Sequence, residues 1–214
     1  MTLPTTYSWF VRGARLKVGY ESPQGRRVNA IGAHFTHGPQ AGRLVSQSWA
    51  SLPKSSKSRT AKAAKPRKPR KTAEEIAAAH DLLLEEVGPI DGTRLVTFLW
   101  RVAGRPEPAP ADWRRERPLV IALDNYSVHK SQIVEEAMPQ LMAAGIHLFY
   151  LPAYSPELSG IEPVWNDVKQ HQMPTRSFER VGTLKQAVDE ALARKTVQLW
   201  QAHGKSTNLQ RLTT

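Results

Sequence analysis

Two short apolar runs separated by a helical pattern constrain the fold of this chain more than any other feature. The first, Leu119–Leu123, ends at Asp124, and its continuous apolar character is typical of a strand buried on both faces. The second covers residues 146–151. Between them, residues 131–144 have apolar side chains at helical spacing, and Gly145 ends the helix. The sequence therefore predicts a βαβ unit in an α/β fold, with Asp124 at the carboxyl edge of the sheet, where open α/β sheets bind ligands. The buried side of the helix is predicted to contain Ile133 or Val134, Ala137, Leu141 and Met142.

A second acid follows the second strand. The loop of residues 152–160 leads to Glu162 at the start of another helix, so Asp124 and Glu162 can converge on one end of the sheet. Carboxylate oxygens are the ligands that Mg²⁺ prefers, and the positive end of the helix dipole favours the ionised form of Glu162. Two such ions about 3.5–4 Å apart can activate a nucleophile and stabilise a leaving oxygen in phosphodiester cleavage. The alternative is that Asp124 caps a helix and Glu162 is an ordinary surface acid.

Two motifs contain these acids: Leu-Asp-Asn-x-x-x-His-Lys at residues 123–130 and Leu-Pro-x-Tyr-Ser-Pro-x-Leu-x-x-Ile-Glu-x-x-Trp at residues 151–165. Together they resemble the DDE-type transposases of bacterial insertion sequences related to the Tc/mariner superfamily. The resemblance implies an RNase H-like mixed sheet flanked by helices, DNA strand cleavage and transfer, and Mg²⁺ or Mn²⁺ bound by Asp124 and Glu162, the second and third acids of a triad. Ser159-Gly160 departs from the pattern, since the family usually has Asn-Pro there. The other residues that match the motifs are Asn125, His129, Lys130, Tyr154, Ser155, Pro156 and Trp165.

Two of the matching residues have alternative roles. His129 could orient a phosphate or a water molecule, or it could cap the helix that follows. Trp165 is expected to pack in the core, and stacking on DNA is the alternative.

The first acid of the triad has no counterpart in this sequence. In the family it lies on the first, central strand of the sheet, before the region that residues 2–13 resemble. Residues 1–20 contain no acid, and Glu21 lies too far along the chain to match. The expectation is a truncated, catalytically inactive copy that lacks the first central strand, folds marginally and binds Mg²⁺ or Mn²⁺ weakly or not at all.

Positive charge is concentrated in one segment. The net charge is +11, and residues 54–71 contain nine basic residues and no acid. The segment is rich in Ser, Pro and Ala, which predicts a disordered linker or an insertion, and its charge predicts binding to DNA phosphates. The alternative is a solvated loop with no specific role. The predicted DNA-binding residues are Lys54, Lys57, Arg59, Lys62, Lys65, Arg67, Lys68, Arg70 and Lys71.

The remaining sequence divides around this segment. The predicted parts are an N-terminal hairpin region at 1–52 with strands at 27–35 and 43–50, a basic linker at 53–72, the remainder of the catalytic domain at 73–205 and a polar tail at 206–214. Amphipathic patterns predict three further helices, the last extending to residue 200. Their packed faces are Ile76, His80, Leu83, Leu84 and Val87 in the first, Leu95, Phe98, Leu99 and Val102 in the second, and Phe178, Val181, Leu184, Val188 and Leu192 in the third.

Composition narrows the class of protein. The chain contains no cysteine, which excludes disulfides and cysteine-based zinc sites and suits a reducing cytosol. No run approaches the ~18 apolar residues of a membrane span. We expect a cytoplasmic, nucleoid-associated bacterial protein whose partners are transposon ends and target DNA, and the sequence leaves open whether it forms a homo-oligomer.

Two functions compete on the sequence alone. One is the catalytic domain of a DDE transposase, and the other is a non-catalytic nucleic-acid-binding remnant that acts through residues 54–71. A metal-dependent nuclease with a different third ligand is a further alternative.

Overall fold

The computed structural model describes residues 27–51, 72–152, 155, 158–174, 178 and 180–212, with the side chains of the last helix only as far as residue 204. The predicted basic segment therefore lies outside the described residues. Those that are described belong to two compact units that alternate along the chain. The described residues of the first unit lie within 27–30, 48–51, 72–89, 167–174 and 178–194, and those of the second unit lie within 31–47, 90–152, 155–166 and 195–212. No helix among the described residues has the length and apolar character needed to cross a membrane.

Strands and helices are mixed along the chain. The strands are β1 Val28–His34, β2 Leu44–Ala50, β3 Leu119–Leu123 and β4 Ile146–Tyr150. The helices are α1 Ala73–His80, α2 Gly92–Ala103, α3 Gln132–Ala143, α4 Glu162–Asp167 and α5 Val181–Leu212. Short 3₁₀ turns occur at Leu84–Glu86 and Ser127–Lys130, and a π turn at Val168–Gln172 follows α4. The predicted α/β class is confirmed, since the described residues form both helices and strands.

β1 and β2 form the predicted hairpin. Near the turn, the Phe35 amide donates to the Arg43 carbonyl at 2.9 Å, and at the other end the Ser51 amide donates to the Arg27 carbonyl at 2.7 Å. Because the partner numbers run in opposite directions, the two strands are antiparallel. Gly42 closes the turn with a φ of +84°, a left-handed conformation that glycine adopts readily.

β3, α3 and β4 form the predicted βαβ unit. The two strands pair in parallel from Leu119 opposite Ile146 to Leu123 opposite Tyr150. Gly145, with a φ of +80°, ends the helix before β4 begins. Of the two residues that the pattern offered for the buried side of α3, Val134 is the buried one. Val134 belongs to a cluster formed by residues of α2, of α3 with the residue after it, and of β4: Leu95, Leu99, Ala103, Leu141, Ala144 and Ile146.

The prediction that Leu119–Leu123 is buried on both faces is wrong. Val120 on β3 and Phe149 on β4 are 67% and 57% exposed, while Leu119 and Ile121 on the opposite face pack against the core. Among the described residues, the helices pack on one face of this sheet only. The strand therefore has one buried and one exposed face, although all of its residues are apolar. Met142, predicted on the buried side of α3, is also exposed.

In the first unit, the helix that follows Thr72 is shorter than predicted. The Thr72 hydroxyl accepts from the Glu75 amide at 3.2 Å and the Glu75 carboxylate accepts from the Thr72 amide at 3.0 Å, so Thr72 is the N-cap of α1. However, α1 ends at His80 because Asp81 adopts a left-handed conformation with a φ of +54°. Leu83 and Leu84, predicted on the packed face, are therefore exposed. Ile76 and Val87 do share a buried cluster, together with Ala50, Ala77 and Val181.

α2 and α5 pack as predicted, but α5 is longer. The Asp91 carboxylate accepts from the Arg94 amide at 2.9 Å and caps α2, whose four predicted apolar residues are buried. α5 continues past the predicted end at residue 200 to Leu212, because its second half lacks proline and a helix can satisfy its own backbone hydrogen bonds without being buried. The predicted polar tail at 206–214 thus begins inside a helix. The buried residues of α5 include the predicted Val181, Leu184, Val188 and Leu192.

Candidate active site

The carboxyl ends of β3 and β4 lie side by side in the second unit. The Leu151 amide donates to the Leu123 carbonyl at 2.8 Å, so strand pairing continues up to the residue before Asp124. The Asn125 amide nitrogen donates to the Leu151 carbonyl at 2.6 Å. These two bonds attach the loop after β3 to the end of β4. Asp124 therefore stands at the carboxyl edge of a parallel strand pair, as predicted, and its backbone is fixed on both sides.

The carboxylate of Asp124 is oriented through one of its oxygens. Oδ1 accepts from the Tyr126 amide at 3.0 Å and lies 2.8 Å from His129 Nδ1. The same imidazole nitrogen lies 3.0 Å from the Asp124 carbonyl oxygen. The Asp124 side chain is 57% exposed, whereas the His129 side chain is 17% exposed. The carboxylate is thus held from the protein side and is open to solvent on the other side.

Tyr150 supports His129 from β4. Its hydroxyl donates to the His129 carbonyl at 2.9 Å. Burial, with a further contribution from the charge of Glu135, raises the pKa of Tyr150, so the hydroxyl stays a proton donor. The ammonium group of Lys130 lies 5.7 Å from the centroid of the Tyr150 ring, within the range of a cation–π interaction. Tyr150 was not among the predicted site residues. Its place at the end of the second apolar strand was the signal that could have found it.

Glu162 begins α4, as predicted. It is exposed, and its backbone amide donates to the Ser159 carbonyl at 3.1 Å. Helix α4 has only six residues, so the helix contribution to the Glu162 site is smaller than the sequence suggested. Asp124 and Glu162 belong to the same compact unit. Their convergence on one metal ion stays a prediction.

The other motif residues have mixed outcomes. Trp165 packs its ring against Gly32 of β1, where a Cβ atom would lie 2.9 Å from the ring, and this supports the predicted core role. Ser155 is half-buried, and its carbonyl accepts from the Leu158 amide at 3.2 Å. Tyr154 and Pro156 lie outside the described residues, as do all nine predicted DNA-binding residues.

The donor chemistry of the site suits a hard divalent cation such as Mg²⁺ or Mn²⁺. Asp124 and Glu162 both present exposed carboxylates, and such oxygen ligands are the ones that these ions prefer. Within the described ranges, however, no group of three or more His, Asp or Glu residues is placed to hold a metal ion.

Comparison with known proteins identifies the family of the region that contains these residues. None of the curated proteins matches the sequence. The family of DDE superfamily endonucleases matches residues 78–185, about half of the chain, and this range contains the βαβ unit, Asp124 and Glu162. The chain therefore belongs to the DDE superfamily of endonucleases.

Proposed function

We propose that Asp124 and Glu162 are two ligands of a divalent-metal centre for DNA strand cleavage and transfer, in a domain related to insertion-sequence transposases of the Tc/mariner type. One observation carries this proposal more than any other. Asp124 stands at the carboxyl end of β3 inside the family-matched range, with Oδ1 held by His129 and the rest of the carboxylate exposed. We further propose that β3 and β4 belong to an RNase H-like sheet.

The chain's own residues would divide the work as follows. Asp124 and Glu162 would bind the ion, whose chemistry is to lower the pKa of a water molecule and to stabilise the leaving 3′ oxygen of a phosphodiester. His129 keeps the Asp124 carboxylate in place and Asn125 holds the backbone of the same loop, so little reorganisation is needed when the ion and the DNA arrive. The exposure of both acids leaves room for a duplex end or a single strand to reach them.

The proposal requires a further ligand. Two carboxylates hold a divalent ion weakly unless substrate phosphates or another side chain add oxygens. Because the described residues bring no third ligand to this group, we expect weak binding of Mn²⁺ by the protein alone and tighter binding when DNA is present. Strand cleavage by this chain should be slow or undetectable for the same reason.

A second candidate function is nucleic-acid binding without cleavage. Two observations favour it. Residues 54–71 contain nine basic residues and no acid, and the described residues do not contain a complete set of metal ligands. A protein of this kind would occupy DNA that a complete relative would otherwise cut. DNA is the partner in both functions.

Metal binding and cleavage, measured on the same samples, test these functions. Mn²⁺ affinity would be followed by electron paramagnetic resonance with and without a short DNA duplex, for the wild type, Asp124→Asn and Glu162→Gln. Asp112→Asn is the matched control, because Asp112 is an exposed acid in the loop before β3. We expect DNA to tighten Mn²⁺ binding in the wild type and the control. Both site variants should lose Mn²⁺ binding. Mn²⁺ affinity that survives in both variants would overturn the proposed metal site.

Nicking of a labelled duplex decides between the two candidates. Cleavage that depends on Mn²⁺ and disappears in Asp124→Asn supports the nuclease and shows that another residue completes the centre. DNA binding without nicking, unchanged in Asp124→Asn, supports the binding function.

A further inference from the structure

We infer that His129, in the 3₁₀ turn after β3, and Tyr150, on the neighbouring strand β4, are positioning residues that fix the orientation of the Asp124 carboxylate. This inference deepens the proposed function and rests on it only for its consequence in metal binding. The orientation itself can be tested on the metal-free protein.

The contacts form one continuous path from β4 to the acid. The Tyr150 hydroxyl donates to the His129 carbonyl at 2.9 Å, and His129 Nδ1 lies 2.8 Å from Asp124 Oδ1. His129 and Tyr150 are separated by 21 positions in the sequence. The parallel register brings them together, because it places Tyr150 opposite Leu123. Asn125, through its bond to the Leu151 carbonyl, holds the backbone of the same loop. The rotamer of Asp124 is thus set by β4 as well as by its own strand.

The protonation of the imidazole at Nδ1 follows from its neighbours. Nδ1 faces two acceptors of Asp124, the carboxylate Oδ1 at 2.8 Å and the carbonyl oxygen at 3.0 Å. A lone pair on this nitrogen would face two oxygens and no hydrogen, so Nδ1 carries the proton and donates. His129 therefore acts on Asp124 as a hydrogen-bond donor from Nδ1.

Capping of the next helix does not account for His129. α3 has Ser131 as its N-cap residue, and the His129 ring instead lies on the Asp124 side of the 3₁₀ turn, with its edge against Tyr126 at a centroid distance of 6.0 Å. Of the roles that the sequence left open, helix capping does not agree with these contacts, and orienting the Asp124 carboxylate was not among them.

The position of the donor atom gives a sharp set of variants. Asparagine at position 129 places an amide nitrogen where Nδ1 stands, whereas glutamine places it one bond farther from the backbone. If donation from Nδ1 positions Asp124, His129→Asn should preserve the orientation of the Asp124 carboxylate. His129→Gln and His129→Ala should lose this orientation. Tyr150→Phe should weaken it, because it removes the hydroxyl that holds the His129 carbonyl. Tyr126→Phe is the matched control, since the Tyr126 ring is 59% exposed and no described residue bonds to its hydroxyl.

The backbone amide of residue 126 reports the orientation directly, because it donates to Asp124 Oδ1 at 3.0 Å. Its ¹H–¹⁵N resonance and hydrogen-exchange rate would be measured in metal-free protein. We expect an upfield proton shift and exchange about tenfold faster in His129→Ala and His129→Gln, and wild-type behaviour in His129→Asn and Tyr126→Phe. An unchanged amide in His129→Ala would overturn the inference, and so would identical behaviour of the Asn and Gln variants.

Mn²⁺ affinity in the presence of DNA then separates this inference from the proposed function. Partners that orient a metal ligand typically contribute 10–100-fold to affinity, so we expect a loss of about tenfold in His129→Ala and recovery in His129→Asn. If Asp124→Asn leaves Mn²⁺ affinity unchanged, the proposed function fails while the amide result still stands. If Asp124→Asn abolishes binding and His129→Ala does not weaken it, the positioning role is overturned.

Discussion

The two units each contain a polar cluster, and the clusters differ in how far their charges are buried. In the first unit, the Lys185 side chain is 9% exposed, and its ammonium group lies 2.8 Å from both the Glu86 and the Asp189 carboxylates. Ser48 of β2 also donates to Asp189. In the second unit, the Asp124 carboxylate is 57% exposed, and its contacts come from one imidazole and one backbone amide.

This difference separates a stabilising cluster from a ligand site. A buried ammonium group must be neutralised, because an unpaired charge in the interior costs several kcal/mol. The contacts of Lys185 with Glu86 and Asp189, together with the bond from Ser48 to Asp189, join β2, the 3₁₀ turn Leu84–Glu86 and α5 to one another. The Asp124 carboxylate is solvated, so its protein contacts set its direction and contribute little to stability. We expect substitutions in the first cluster to change folding and substitutions in the second to change function.

The largest effect should come from outside both clusters, in the basic segment. Replacing all nine basic residues of 54–71 with glutamine should weaken DNA binding by about 10³-fold at low salt, since each neutralised phosphate contributes a slope of about −0.9 in log affinity against log salt. Fluorescence anisotropy across a salt series measures both quantities. Arg114→Gln with Arg117→Gln, two exposed arginines before β3, is the control and should cost under tenfold. If the variant with all nine substitutions had the same DNA affinity and the same salt slope as the wild type, the DNA-binding surface would lie on the described units instead.

Removing the buried cation should have the next largest effect. Lys185→Met leaves Glu86 and Asp189 close together without their shared partner, and we expect the free energy of unfolding to fall by about 3 kcal/mol. Urea denaturation measures this change. Lys169→Met, at an exposed position, should stay within about 0.5 kcal/mol of the wild type. A Lys185→Met variant as stable as the control would remove the contrast between the two clusters.

Acid should weaken the first cluster by a smaller amount. Hydrogen bonds from Lys185 and from the Leu83 backbone lower the pKa of Glu86 below its usual 4.5, so its stabilising contribution is present above pH 4.5 and is lost as the pH falls through the lower, folded-state value. For Lys185, burial opposes the charged form, but hydrogen bonds to Asp189 and Glu86 outweigh burial and raise the pKa above 10.5, so its contribution is lost only in strong alkali.

Melting temperatures across the acidic range test this pH dependence. Glu86→Gln should be less stable than the wild type at neutral pH and should lose less stability on acidification. Glu116→Gln, an exposed loop acid, should follow the wild-type curve. Parallel curves for Glu86→Gln and the wild type would show that Glu86 does not contribute this dependence.

The smallest effect on stability should come from the candidate active site. Asp124→Asn keeps the size of the side chain and an oxygen that can accept from the Tyr126 amide, so the free energy of unfolding should change by less than about 0.5 kcal/mol. The same urea experiments that report on Lys185→Met measure it. A loss comparable to that of Lys185→Met would mean that Asp124 is a structural residue, and the contrast between the units would then fail.

Local and periodic features were predictable from the sequence. The capping pair of Thr72 and Glu75, the apolar stripe of α2 and the βαβ unit depend on residues within one or two turns of each other or on a run of uniform character. The position of Asp124 at the carboxyl edge followed from the end of an apolar run. These features could be inferred because the chemistry that produces them is contained in a short stretch of chain.

The tertiary structure decided which of several apolar residues are buried, because the sequence pattern does not distinguish between them. Whether Val120 faces a helix or solvent, and whether Val134 or Ile133 is buried, depends on which face of each element meets a partner distant in sequence. The bonds from Tyr150 to His129 and from Asn125 to Leu151 likewise join residues more than twenty positions apart. The sequence by itself determined which acid stands at the sheet edge. Only the packing of β4 beside β3 determined how the loop that holds this acid is supported, because the parallel register brings Tyr150 to His129 and Leu151 to Asn125 within hydrogen-bonding distance.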